Sequence, residues 1–161
     1  MKNQFKFAVI IALFIAVTSA GERAVNSNTC TSKDAKLKAI DSLNAFYYAS
    51  SKITSITYSQ SQSLKEVEVP LFKGESYRMV FNRQDLPKNV EVEIYDKSWK
   101  EDGRNLLYSS KDQDPNADIL SFEPKRAKNM FINYIIPAAE GSKETGCIVF
   151  VLGYQLTFIK N

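Results

Sequence analysis

The chain contains no histidine, and that absence removes a large share of enzyme chemistry. Histidine is the usual base that activates a serine or cysteine nucleophile and a frequent zinc ligand. Cysteine is nearly as scarce, with Cys30 and Cys147 the only two. A pair of thiolates without imidazole does not make a zinc site. The six glycines are scattered at turns, so there is no glycine-rich loop to cradle a phosphate. No repeat of fixed period runs through the sequence. Neither sign of charge dominates: 21 basic residues face 18 acidic ones, interleaved along the chain. A nucleic-acid binder shows a clustered basic face, so nucleic acid is not an expected partner.

Long apolar runs are confined to the first twenty residues. Lys2 and Lys6 precede the uncharged stretch "FAVIIALFIAV" from Phe7 to Val17, and small residues follow through Thr18 and Ala20. This is the pattern of a secretory signal peptide (residues 1–20) with cleavage before Gly21. The run is shorter than the roughly 20 residues a membrane span requires. The expected product is soluble and exported, periplasmic or extracellular, with no stable membrane span after cleavage. Losing Lys2 and Lys6 lowers the net charge of +3 to about +1, too small to select a partner. About 140 residues remain, a length that suits one domain.

Along the mature chain, residues 21–31 ("GERAVNSNTCT") read as a flexible lead-in. From Ser32 the spacing of Leu37, Ile40, Leu43, Asn44 and Tyr47 predicts a helix, with Thr31 and Asp34 resembling a capping box. The helix fades near Ser50 into the serine-rich "ASSKITSITYSQSQS", so residues 32–63 read as a helix and connector. Residues 64–161 read as strands. The segments 64–72, 76–82, 90–96, 106–110, 118–122, 129–136 and 147–158 alternate or run apolar between turn signals. In "VEVEIYD", Val90, Val92 and Ile94 face one way and Glu91 and Glu93 the other. Seven to eight strands with turns at such intervals predict an antiparallel β-sandwich, jelly-roll-like, with one N-terminal α-helix. The last segment is apolar on both faces and should be central, with the helix over part of a sheet.

The succession "FKGESYRMVF", "VEVEIYDK", "LLYSS", "ILSFEP" and "MFINYIIP", closed by an apolar strand, resembles the pre-peptidase C-terminal domain over residues 64–156. That resemblance implies a small secreted β-sandwich that is itself non-catalytic and acts as an accessory, chaperoning or adhesive module. A helix stands here where that family normally has a catalytic domain. The layout of helix, sandwich and a Gly-Cys pair before the last strand is also similar to stand-alone secreted bacterial proteins.

Four groups of residues could carry chemistry. Cys147 lacks a base for thiolate catalysis and lacks fellow ligands for zinc. In an exported chain a Cys30–Cys147 disulfide is the economical reading, with two separate thiols as the alternative. Closing a loop of that length is worth up to about 5 kcal/mol on a chain-entropy account. Asp112, Asp114, Asn116, Asp118 and Glu123 match the oxygen spacing of a calcium loop. Ala117 stands where that loop needs glycine, however, and Pro115 and the missing flanking helices favour a plain turn. Trp99, in the polar loop "KSWKEDGRN", is either a partner contact or a lid folded over the sandwich edge. Glu91 or Glu93 near another acid would suit an acid-only carbohydrate hydrolase, though alternating glutamates on a strand are usually solvated.

The expected function is therefore a non-enzymatic exported binding or accessory module using the sandwich surface and loops 97–105 and 111–117. Its expected partner is a protein or polysaccharide of the cell envelope or exterior. No cofactor is expected beyond calcium at the acidic loop. The alternatives are an acid-only hydrolase and a structural component of an envelope assembly. Intact mass under non-reducing conditions checks the sulfur pairing: the exported chain should start at Gly21 and weigh two hydrogens less than its reduced form, whereas an unchanged mass on reduction means separate thiols.

Overall fold

Alternation of apolar and polar residues carries most of the chain into strands. The computed structural model describes residues 32–87, 89–140 and 144–157. These residues hold one α-helix, α1 (Lys33–Asp41), a single 3-10 turn (Ser110–Asp112) and eight strands. The strands are β1 (Tyr47–Thr57), β2 (Ser63–Val69), β3 (Glu75–Asn82), β4 (Glu91–Tyr95), β5 (Leu106–Ser109), β6 (Ile119–Phe122), β7 (Met130–Ile136) and β8 (Thr145–Leu156). All pairings are antiparallel. β1 pairs with β8, β2 with β7, β3 with β6 and β4 with β5. The chain is thus one long hairpin ribbon with its tip between β4 and β5. Wrapped on itself, the ribbon gives two four-stranded sheets, β1-β8-β3-β6 and β2-β7-β4-β5. This is the jelly-roll form of a β-sandwich, as the strand pattern predicts.

The two inner faces form the main core. Tyr77, Met79 and Phe81 of β3 and Ile148 and Phe150 of β8 meet Val92, Ile94, Ile132 and Tyr134 from the opposite sheet. Phe81 stands edge-on to Tyr134 and lies near Phe150. β8 is central and apolar on both sides. Its outer residues Val149 and Val151 join Val80 beneath Ala35, Ala39 and Leu43 of the helical segment.

Two expectations change. The helix is shorter and turned differently: Ala35 and Ala39 are buried, Leu37 is 51% exposed, and Tyr47 begins a strand. Small alanines let the helix axis approach the sheet more closely than leucine would. Asn44, in the left-handed region at φ 54°, turns the chain out of the helical segment into β1. The serine-rich connector is itself a strand, so the sandwich begins at Tyr47 and not at residue 64. Ser32 is the N-cap and makes no side-chain cap bond. The Thr31 half of the expected capping box and the lead-in 21–31 lie outside the described residues, as do residues 1–20.

Two glycines on β8 permit close approaches. A Cβ on Gly153 would lie 2.7 Å from Leu43 Cδ2, and one on Gly146 would lie 2.7 Å from both the Asp85 carbonyl oxygen and Pro87 Cδ. At Gly146 the obstacle includes backbone, which cannot swing aside. Gly146→Ala should therefore lower unfolding free energy by about 1–3 kcal/mol, the usual cost of overpacking, read as a reduced denaturant midpoint at unchanged slope.

Candidate functional site

Directly opposed residues on adjacent strands point to the same face of a sheet. The inner residues Ile148, Phe150 and Leu152 of β8 are opposed on β1 by Thr54, Lys52 and Ser50. These β1 residues bring little apolar bulk, so the sandwich is not filled along this edge. The result is a groove of about 550 Å³ between β1 and β2. Its floor and far wall are Phe150, Leu152, Tyr77, Val67 and Val69, all part of the main core. Phe72, 68% exposed, stands at the mouth. Tyr154 also lines it, with its ring 5.9 Å from that of Tyr47. The five floor and wall side chains are buried, at 3–8% exposure, and reach the surface only through the groove. An apolar hollow with a few polar groups is the usual make-up of a binding site.

The polar groups of the groove are unequally satisfied. The Tyr77 hydroxyl donates to the Glu75 carboxylate and accepts from the Phe72 N–H at 3.0 Å. Burial, then the Glu75 hydrogen bond, raise the Tyr77 pKa above its ordinary value. Glu68 accepts from Asn129 Nδ2 at 2.7 Å. Lys52 is exposed and makes no ion pair among the described residues. Towards the other end, Lys65 Nζ of β2 donates to the Ser55 carbonyl of β1 at 2.5 Å and closes the gap between the strands.

Loop 97–105 folds back onto the outer face of sheet β2-β7-β4-β5. The Arg104 guanidinium lies 3.9 Å from the Tyr95 ring centroid. Asn133, 1% exposed, donates to Glu66 Oε2 and accepts from Arg104 Nη1, each at 2.9 Å. Glu66 also accepts from the Ser98 hydroxyl at 2.7 Å and the Trp99 N–H at 2.8 Å. Asp96 accepts from the Asn105 backbone at 2.7 Å and side chain at 2.9 Å, and from Lys128 Nζ at 3.1 Å. The Asn105 bonds, with the Lys128 charge second, hold its carboxyl well below the usual range. Trp99 is thus pinned by its backbone, while its side chain remains 53% exposed beside the Lys100 ammonium. It does not close over the edge as a lid would.

The acids considered for hydrolysis are engaged elsewhere. Glu91 pairs with Lys111 at 3.0 Å, and Glu93 accepts from the Tyr95 hydroxyl at 2.8 Å. The five residues of the expected calcium loop do not converge. Glu123 is drawn away to Arg78, and Asp114 Oδ1 accepts from Asn116 N at 2.8 Å in a local turn. Among the described residues no three acids or cysteines form a metal-holding group. The loop carbonyls of Ala117, Asp114 and Pro115 accept from the Arg83 guanidinium at 2.7, 3.2 and 2.9 Å. Arg83 is 6% exposed, so a tethered cation sits where loop carbonyls would face an ion.

Cys147 lies on β8 opposite Ser55, and its N–H donates to the Asp85 carbonyl at 3.3 Å. Cys30 lies outside the described residues. No described helix is long and apolar enough to cross a membrane. Neither a family model nor a curated protein matches the chain.

Sequence reading misses the groove because its makers, Ser50 and Lys52, look like linker residues. Their even spacing ahead of Ile56 and Tyr58 is the one signal that marks them as inward. Loop 111–117 depends instead on Arg83. Arg83→Met should cost several kcal/mol, since each lost hydrogen bond to a charged donor is worth about 1.5–3 kcal/mol; a thermal melt within error of the parent would contradict this role.

Proposed function

We propose that the chain is an exported, non-enzymatic binding module whose ligand seats in the groove along β1. The ligand is apolar or amphipathic and belongs to a protein or polysaccharide partner of the cell envelope or exterior. One observation carries the reading: β1 sets only Ser50 and Lys52 against Leu152 and Phe150, and these line a groove together with Val67 and Val69 of β2. These apolar side chains are covered from most sides, at 3–8% exposure, and an apolar groove of this kind is a usual place for a ligand.

Export and the disulfide belong to the same proposal. Ser32 and Asp34 at the start of α1 share a small hollow with Gln84 and Asp85, and the Cys147 N–H bonds to Asp85. Cys30 precedes Ser32 by two residues, a reach of about 7 Å, which suits the short Cα separation of a disulfide. The bond would fasten the start of the helix to the start of β8. The accessory role that the resemblance to pre-peptidase C-terminal domains implies agrees with this reading. A role within an envelope assembly draws support from β1, a long strand at the sheet edge of the kind that recruits other chains.

The dye 1-anilinonaphthalene-8-sulfonate, apolar with one negative charge, tests the groove. Its fluorescence should rise on binding the parent protein, and Ser50→Phe, which fills the space, should weaken binding about tenfold, or about 1.4 kcal/mol. Equal binding by both folded proteins would refute the groove as the site.

A further inference from the structure

The geometry points to an extended peptide as the ligand, added as a strand to the open edge of β1 with alternate side chains lowered into the groove. This rests on the groove being the binding site and says what occupies it. Two observations of different kinds meet here. One is the groove between the sheets, floored by core side chains. The other is the backbone of β1 itself, which has a partner strand on one side only.

The direction of the backbone groups follows from the pairing. In an antiparallel ladder, residues alternate between bonding their partner strand and turning their N–H and C=O away from it. The Ser55 carbonyl meets Lys65 of β2, and the opposed Cys147 sends its N–H to Asp85. Ser55 and Cys147 are thus a pair that does not bond to each other. By alternation, Ser51 and Ile53 also direct their backbone groups to the open side, while Ser50, Lys52 and Thr54 turn their side chains inward. Lys65 guards the edge at Ser55 and a bulge between Tyr48 and Ser50 breaks the ladder, so the regular free stretch is residues 50–53, which borders the groove. A strand of about four residues fits there, supplying main-chain hydrogen bonds for affinity and groove-facing side chains for specificity.

Charge narrows the sequence of the peptide. Glu68 and Glu75 in the groove already have hydrogen-bond partners. Lys52 faces the same space with no counter-ion among the described residues. The Asn129 amide and Tyr77 hydroxyl leave the charges of Glu68 and Glu75 in place, so the peptide carries apolar side chains at groove-facing positions and a single carboxylate, set at Lys52 and away from these two acids. A second copy of the chain suits the site poorly. Its own β1 would offer serines and Lys52 to the groove, leaving the apolar floor bare and setting ammonium against ammonium.

The test uses the full mature protein and an end-blocked heptapeptide of threonine alternating with valine, aspartate and valine. Binding should slow hydrogen exchange at the Ser51 and Ile53 amides by about tenfold or more. Lysine in place of aspartate, or N-methylation of the peptide backbone, should weaken binding at least about tenfold. Decanoate, a carboxylate without backbone donors, should enter the groove and leave those two amides unprotected. If the dye and decanoate bind but the peptide does not, strand addition is wrong and the groove stands. If none of the three binds, both are wrong. Protection that appears without peptide and grows with protein concentration assigns the edge to a second copy and overturns the proposal.

Discussion

The register of β1 on β8 sets the character of this molecule. It places Lys52 against Phe150 and Ser50 against Leu152, so one edge of the sandwich is laid down without apolar fill. Shifting β1 by one residue would present Ile53 to the interior instead, and would expose Ile56 and Tyr58, both fully buried now. The buried end of β1 at Ile56, with Tyr58 just beyond it, therefore holds the register that keeps the other end open. The stability of one half of the strand fixes the groove in the other.

The remaining surface is organised by cations that satisfy backbone and carboxylate groups. Arg83 gathers the carbonyls of the 114–117 turn. Arg104 clamps the 97–105 loop through Tyr95 and Asn133. Arg78 joins Glu123 on β3's outer side and lies over the Phe46 ring. Buried polar groups are costly unless hydrogen-bonded, and each of these arginines answers such a demand. The groove differs from these places in its apolar floor and in the Lys52 ammonium, which has no ion pair among the described residues.

Much of the fold is legible from the amino acids alone. Val90, Val92 and Ile94 alternate cleanly with glutamates and are fully buried in the sandwich. The two-sided apolar character of residues 147–152 announces a central strand, and the helix covers its outer face. β1 is not legible, because serine, threonine and lysine dominate a strand whose place depends on pairing with a distant partner. Helical spacing around Leu37 misleads in a similar way: Ala35 and Ala39, with Leu43, pack on Val80, Val149 and Val151, and Leu37 is left exposed. For the site, single residues such as Trp99 and the acidic run attract attention by type. The groove arises from what β1 fails to supply, and that appears only when two strands are set side by side.

Solvent contact of individual methyl groups tests the open edge most directly. With a neutral soluble nitroxide added to the methyl-labelled protein, the Val67, Val69 and Leu152 signals, at 5–8% exposure, should broaden clearly more than core signals, though less than those of surface methyls. Ile132, fully buried at 0% exposure, should stay sharp. Val67, Val69 and Leu152 signals as protected as those of Ile132 would mean that the sandwich is closed along β1, and would contradict the account at its root.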